Sequence, residues 1–285
     1  MTIIAPVTLH DTVIIRTARR GIDVKPWDSK TQTADRFYPH PSLPLKGEGT
    51  KRRGSQDVPW DSRNLAYKAA ETFFRAARIS AGCRVRIAKR IPVGGGLGGG
   101  SSDAATVLLG LNRVYGVPLD GRRLRKAAAA LGSDVPAFLL DGPSIARGRG
   151  ERLRGIRLPR MSLLLCFPGY PVSTAWAYAE LDRLRRNGQA LTPPVISPKI
   201  LRAGLRRNEL DKVAAQLSNS FEPAVFRRFP ALDRVKELLL RHGMLAASLS
   251  GSGSTVYGLV GTKGWKDPMA ALARNGFHCV KTSTI

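Results

Sequence analysis

Polar and apolar positions follow two periods along this chain, broken by stretches with neither. Residues 8–17 are rich in β-branched side chains and predict a strand. Between about 30 and 59 the pattern vanishes into Pro, Gly, Lys and Arg, which predicts a surface loop or insertion. Order resumes with Asp61 or Ser62 as an N-cap and Leu65, Ala69, Phe73 and Ala77 near helical spacing. A strand over 83–91 follows, then a glycine-rich stretch, then a helix whose one face carries Ala104, Val107, Leu108, Leu111 and Val114 and which Gly116 closes. A helix over 124–131 ends at Gly132. Next, Ser133-Asp134-Val135-Pro136 opens another, with Asp134 at its start.

The second half reads similarly. An apolar run over 161–167 predicts a buried strand, Ser173 or Thr174 caps a helix through Leu181, and two or three helices fall between 198 and 242. Strands over 244–250 and 255–260 flank the turn Ser250-Gly251-Ser252-Gly253, and a helix near 267–273 leads to a last strand over 277–282. Strands and helices in mixed order, without strict βαβ alternation, predict an α+β fold. A chain of 285 residues suits two lobes, with the boundary between 157 and 158.

Composition narrows the picture in three ways. The 43% hydrophobic and 24% charged residues are those of a globular protein. A formal charge of +25 attracts polyanions. The arginines are scattered, however, without stacked aromatics or a recognition-helix motif, so nucleic acid is disfavoured as a partner. Cys83, Cys166 and Cys279 are odd in number and far apart in sequence, which suits a reducing cytoplasm, and His10, His40, His242 and His278 never reach metal-ligand spacing, so no metal site is predicted from the histidines. No basic-then-apolar leader opens the sequence and no stretch approaches a membrane span, so a cytoplasmic location is expected.

The chemistry concentrates in Pro92-Val93-Gly94-Gly95-Gly96-Leu97-Gly98-Gly99-Gly100-Ser101-Ser102-Asp103. From Gly94 to Gly100 only Leu97 has a side chain, so consecutive N–H groups can bend toward one ligand while the following helix adds its positive end. Phosphate suits such a loop, and the Ser101 and Ser102 hydroxyls can cap the helix, touch a phosphate or help hold Mg²⁺. Gly94, Gly96 and Gly99 also satisfy G-x-G-x-x-G, but a helix and a long excursion precede them, unlike a dinucleotide fingerprint. No Lys follows the glycines, so this is not a Walker loop.

With Gly132-Ser133-Asp134-Val135-Pro136, Leu249-Ser250-Gly251-Ser252-Gly253, Asn219-Ser220-Phe221-Glu222-Pro223 and Pro168-Gly169, the glycine box resembles the GHMP kinase superfamily from Asn64 onward. The match is closest to its branch acting on a cytidine-diphosphate-linked methylerythritol. The resemblance implies a ribosomal protein S5 domain 2-like N-terminal lobe and a ferredoxin-like C-terminal lobe. It also implies ATP-dependent phosphorylation of the substrate's 2-hydroxyl in non-mevalonate isoprenoid precursor biosynthesis, with Mg²⁺, by a monomer or homodimer. By that likeness Pro92, Gly94, Gly95, Gly96, Leu97, Gly98, Gly99, Gly100, Ser101 and Ser102 wrap the ATP phosphates. Asn64 and Lys89 lie near the adenine and Gly251 and Gly253 beside the phosphates, Asp134 matches the catalytic aspartate, and Thr174 and Tyr178 line the cytidyl pocket. Phosphoryl transfer needs a group to orient or deprotonate the attacking hydroxyl, which Asp134 can supply; its other reading is a helix cap.

Two family elements are not found: an opening Pro-x-Lys-x-Asn-Leu strand, whose lysine would sit beside the aspartate, and a Gly-Tyr-His element on the substrate side. Ala5-Pro6-Val7-Thr8 matches only the first letters, and Asp11-Thr12-Val13 aligns with a later family strand, so the sequence begins after the motif and one strand of the nucleotide lobe is expected to be absent. A start placed downstream of the natural one and an eroded, inactive homologue both fit. Other readings are a GHMP kinase for a sugar, homoserine or mevalonate derivative, a polyanion-binding protein, and, furthest off, a dinucleotide oxidoreductase.

Overall fold

The computed structural model describes residues 1–27, 58–148, 150, 152–188, 197–207, 209–261 and 265–285. Apart from Val58 and Pro59, the stretch read as an insertion lies outside the described residues.

The first half comprises β1 (Thr2–Ile4), β2 (Thr12–Ala18), β3 (Ile22–Pro26), α1 (Leu65–Ala77), β4 (Gly82–Ala88), α2 (Gly99–Val114), α3 (Gly121–Leu131), a 3-10 helix Val135–Leu139, β5 (Ser144–Arg147) and β6 (Arg152–Gly155). The order β2-β4-β3 forms one sheet, with β2 antiparallel and β3 parallel to β4. A second, antiparallel sheet runs β1-β5-β6. Helices α1 and α2 bury Ala66, Ala69, Phe73, Ala104, Val107, Leu108 and Leu111 in one core with Val85 and Ile87 of β4. That packing fixes where α2 begins, and therefore where the glycine box must turn.

Several elements differ from expectation for identifiable reasons. The cap of α1 is Asn64, whose Oδ1 accepts from the Ala66 amide at 2.9 Å, whereas Asp61 is engaged with Arg63. Strand β4 ends at Ala88 instead of reaching residue 91, because the amides of Arg90 and Ile91 donate to the Asp11 carboxylate. Helix α2 starts at Gly99, so the last two glycines and both serines of the box form its first turn. Strand β2 begins only at Thr12, and β1, β3, β5 and β6 are additions of three to five residues, too short to show a period.

The second half holds β7 (Ser162–Phe167), α4 (Thr174–Arg186), α5 (Pro198–Arg207), α6 (Leu210–Ala214), α7 (Glu222–Arg228), α8 (Pro230–Arg241), β8 (Ala246–Leu249), β9 (Val256–Leu259), α9 (Met269–Arg274) and β10 (His278–Ser283). Among the described residues four helices therefore lie between 198 and 242, one or two more than the sequence predicts. Its antiparallel sheet runs β10-β7-β9-β8. Numbered within this half, the order is fourth-first-third-second, the ferredoxin-like arrangement. Leu164, Cys166, Val225, Leu232, Leu239 and Val256 form its core, with Leu272 of α9. Cys166 and Cys279 face each other across β7 and β10 with their sulfurs 3.4 Å apart, both as free thiols.

Candidate active site

The glycine box lies where the two halves meet, and three successive carbonyls of the loop are taken by the second half. Gly94 O accepts from the Val172 amide at 3.4 Å, Gly95 O from the Thr255 amide at 3.1 Å, and Gly96 O from the Ser250 hydroxyl at 2.9 Å. In a trans peptide the N–H points opposite to its C=O. The amides of Gly95, Gly96 and Leu97 are thus turned away from those donors, and none of them donates to another group among the described residues.

The first turn of α2 extends this row. Gly98, its N-cap, has φ 68° and no side chain to cap with, so the amides of Gly99, Gly100 and Ser101 have no intrahelical acceptor and no capping oxygen. A methyl group on Gly98 would lie 2.7 Å from the Phe138 ring, which shows how closely the 3-10 helix approaches the box. At Gly96, with φ 73°, a methyl group would collide with the Ser250 carbonyl oxygen and lie 2.8 Å from that of Gly253. Glycine is required at both positions by backbone conformation and by contact. Loop amides without an acceptor are thus followed directly by helix amides without one, the kind of donor set an anion uses.

The hydroxyls in this region are unequal. Ser102 Oγ donates to Gly99 O at 2.8 Å, inside the helix turn, while Ser101 has no side-chain partner among the described residues. Thr255 Oγ1 is fully buried without a hydrogen-bond partner, 3.1 Å from where a Cβ on Gly95 would be. Beneath the box, Lys89 Nζ is shared between Asp103 Oδ2, at 2.9 Å, and Asp11 Oδ2. Its ammonium lies 3.4 Å from the Cβ position of Gly99, beside the start of α2. One ammonium serves two carboxylates there, and burial pushes the Asp103 carboxyl up to about 6 against the opposing pull of Lys89. Asp11 and Asp103 were not picked out as site residues from the sequence. Asp11 lies 78 residues from Lys89, and no local pattern joins them.

Asp134 is the N-cap residue of the 3-10 helix, exposed, and its side chain makes no capping bond. The cap reading of this aspartate therefore does not hold, and its carboxylate is unpartnered among the described residues. Asn64 and Lys89 are both occupied: Asn64 is buried, with Oδ1 on the cap and Nδ2 donating to Pro59 O at 2.7 Å. Gly251 and Gly253 sit in the turn against the box, where the Gly253 amide donates to Ser250 O at 2.9 Å. Thr174 and Tyr178, one turn apart on α4, are exposed; Thr174 Oγ1 is 2.9 Å from Ser252 Oγ, and the Tyr178 ring meets Phe221 edge-on at 4.9 Å. The structure thus brings Thr174 to the same turn that holds the glycine loop.

Residues 64–142 match the GHMP kinases N terminal domain and residues 201–273 the GHMP kinases C terminal domain. The chain belongs to the GHMP kinase family. It is 42% identical over 207 residues to the 4-diphosphocytidyl-2-C-methyl-D-erythritol kinase of Geobacter sp. (strain M21), covering 72% of this chain and 70% of that protein. The protein of the same name from Methylacidiphilum infernorum (isolate V4) is also 42% identical, over 72% of this chain and 67% of its own length. Among solved structures, a 4-(cytidine 5'-diphospho)-2C-methyl-D-erythritol kinase superimposes with a TM-score of 0.71 at 31% identity, over 99% of this chain and 88% of that one. A homoserine kinase from Cytophaga hutchinsonii shares the fold alone, with a TM-score of 0.66 at 17% identity over 96% and 85% of the two chains. No helix among the described residues is long and apolar enough to cross a membrane.

Proposed function

We propose that this GHMP kinase transfers the γ-phosphoryl group of ATP to the 2-hydroxyl of 4-diphosphocytidyl-2-C-methyl-D-erythritol. The observation that carries the phosphate half of this reading is the row of undirected amides from Gly95 to Leu97 and from Gly99 to Ser101. The choice of acceptor rests on the 38–42% identity to relatives of that name across both halves.

The loop amides and the start of α2 bind the ATP phosphates and fix the γ-phosphorus in place, which is most of what phosphoryl transfer asks of a protein. Mg²⁺, when bound, would neutralise charge on the phosphates, and the Ser101 hydroxyl, with the lone pairs of Ser102 Oγ, would supply the chain's oxygens toward it. Asp134, exposed and without a partner among the described residues, takes the proton of the attacking hydroxyl as its oxygen bonds to phosphorus and ADP leaves. Thr174 and Tyr178 hold the cytidyl end of the acceptor. Any contact Asn64 or Lys89 makes with the base uses only the proton or lone pair left over from the bonds described above. The two lobes meet between residues 157 and 158.

The test is ADP release by this chain, and by a version preceded by the family's Pro-x-Lys-x-Asn-Leu strand, with the cytidyl substrate, homoserine, mevalonate or galactose as acceptor. Release that depends on the cytidyl substrate is expected. No release from either version with that substrate, or release driven by another acceptor instead, overturns the reading. In whichever version turns over, Asp134→Asn is expected to lower kcat by roughly 10²–10⁴-fold while leaving ATP affinity unchanged in a calorimetric titration.

A further inference from the structure

The turn that supports the glycine loop is itself held from behind. Asn219 Nδ2 donates to Leu249 O at 2.7 Å and to Gly251 O at 2.8 Å, while its Oδ1 accepts from the Phe221 amide at 2.9 Å. Both amide protons are used, each on a carbonyl of the strand end or the turn. Three residues on, Glu222 Oε1 accepts from the Ser248 hydroxyl at 2.7 Å and the Leu249 amide at 2.9 Å, and Lys236 neutralises Oε2 at 2.6 Å. Asn219 and the first residue of α7 therefore grip the last two residues of β8, where the chain enters the turn.

Two lines of contact leave this grip. One runs through Ser250 to Gly96 O, and so sets the plane of the Gly96–Leu97 peptide and the direction of the Leu97 amide. The other runs through Phe221 to the ring of Tyr178 on α4, whose Thr174 returns to the turn at Ser252. Nothing about Asn219 suggests contact with a ligand. Its bonds are all internal, and two of the three end on the last residue of β8 and on the turn that both the phosphate loop and α4 touch.

We propose that Asn219 is a positioning residue that holds the Ser250–Gly253 turn where it aims the Leu97 amide, and that through Phe221 it ties this setting to the substrate-side helix α4. The proposal rests on reading the glycine box as the ATP site.

MgATP affinity, measured by calorimetry without acceptor, tests it on the full chain with Asn219→Ala, Ser250→Ala and the double variant. Each single change is expected to weaken MgATP by about fivefold to tenfold, the worth of the one hydrogen bond the Leu97 amide gives a phosphate. Because both act through one turn, the double variant should be little weaker than Asn219→Ala alone; independent sites would multiply the two factors. Unchanged affinity in either folded single variant, or strict multiplication, overturns the proposal. If Asn219→Ala does not fold, Asn219→Asp, which keeps the Oδ1 acceptor for the Phe221 amide and removes the donors to Leu249 O and Gly251 O, takes its place: unchanged affinity overturns. A wild-type chain that binds no MgATP defeats the ATP-site reading instead, so the two failures are distinguishable.

Discussion

Single atoms decide the chemistry of this site. Gly96 is the clearest case, because a β-carbon there would meet two backbone oxygens, which cannot swing aside as a side chain can. Gly96→Ala should cost at least about 1–3 kcal/mol, from the left-handed conformation alone, in urea denaturation, and should abolish the closed contact with the turn. Asp103 gives a prediction of a different kind. Its carboxyl titrates higher in the folded protein than in an unfolded chain, so the folded state binds the extra proton. The stability this contributes is full below the unfolded value near 4 and is lost as pH rises through about 6. Asp103→Asn should therefore flatten the fall in unfolding free energy between those two pH values, measured by denaturant titration at steps across the range. A decline of the same slope in the variant would assign the pH dependence elsewhere.

Among the elements, α2 carries the site on a buried stem. Leu108 and Leu111, fully buried against β4 and α1, hold the helix whose first turn presents the free amides. Truncating either to Ala should cost about 2–5 kcal/mol in thermal or urea unfolding. At this scale much was legible beforehand. The strand, glycine loop and helix were read in the right order because a two-residue period gives way to a helical one across the box. Asp134 was placed at a helix start by the Gly132 stop and the Pro136 that follows. What could not be read has a common cause. Strands β1, β3 and β5 are held by partners far along the chain, β6 pairs only with its hairpin neighbour β5, and all four carry too few residues for a period. The shift of the α1 cap to Asn64 was hidden because Asp61, Ser62 and Asn64 are all competent caps within four positions, and Arg63 claims Asp61. The Asp11–Lys89–Asp103 cluster, like the grip of Asn219 on the turn, joins residues with no local relation at all.

For the molecule as a whole, the box is where two cores are joined, so a ligand bound there stabilises more than a loop. MgATP at a hundred times its dissociation constant should add about 2.7 kcal/mol to the unfolding free energy, seen by scanning calorimetry as a raised transition. The Gly96→Ala variant should show no such rise. The join also has a consequence for the order in which the protein is made. A ribosome that has synthesised residues 1–148 has produced every glycine of the box and the helix behind it. The donors that turn the loop's carbonyls aside arrive only with Val172, Ser250 and Thr255. On the ATP-site reading, a fragment of residues 1–148 lacks those donors and is expected to bind MgATP more weakly than the full chain in a calorimetric titration.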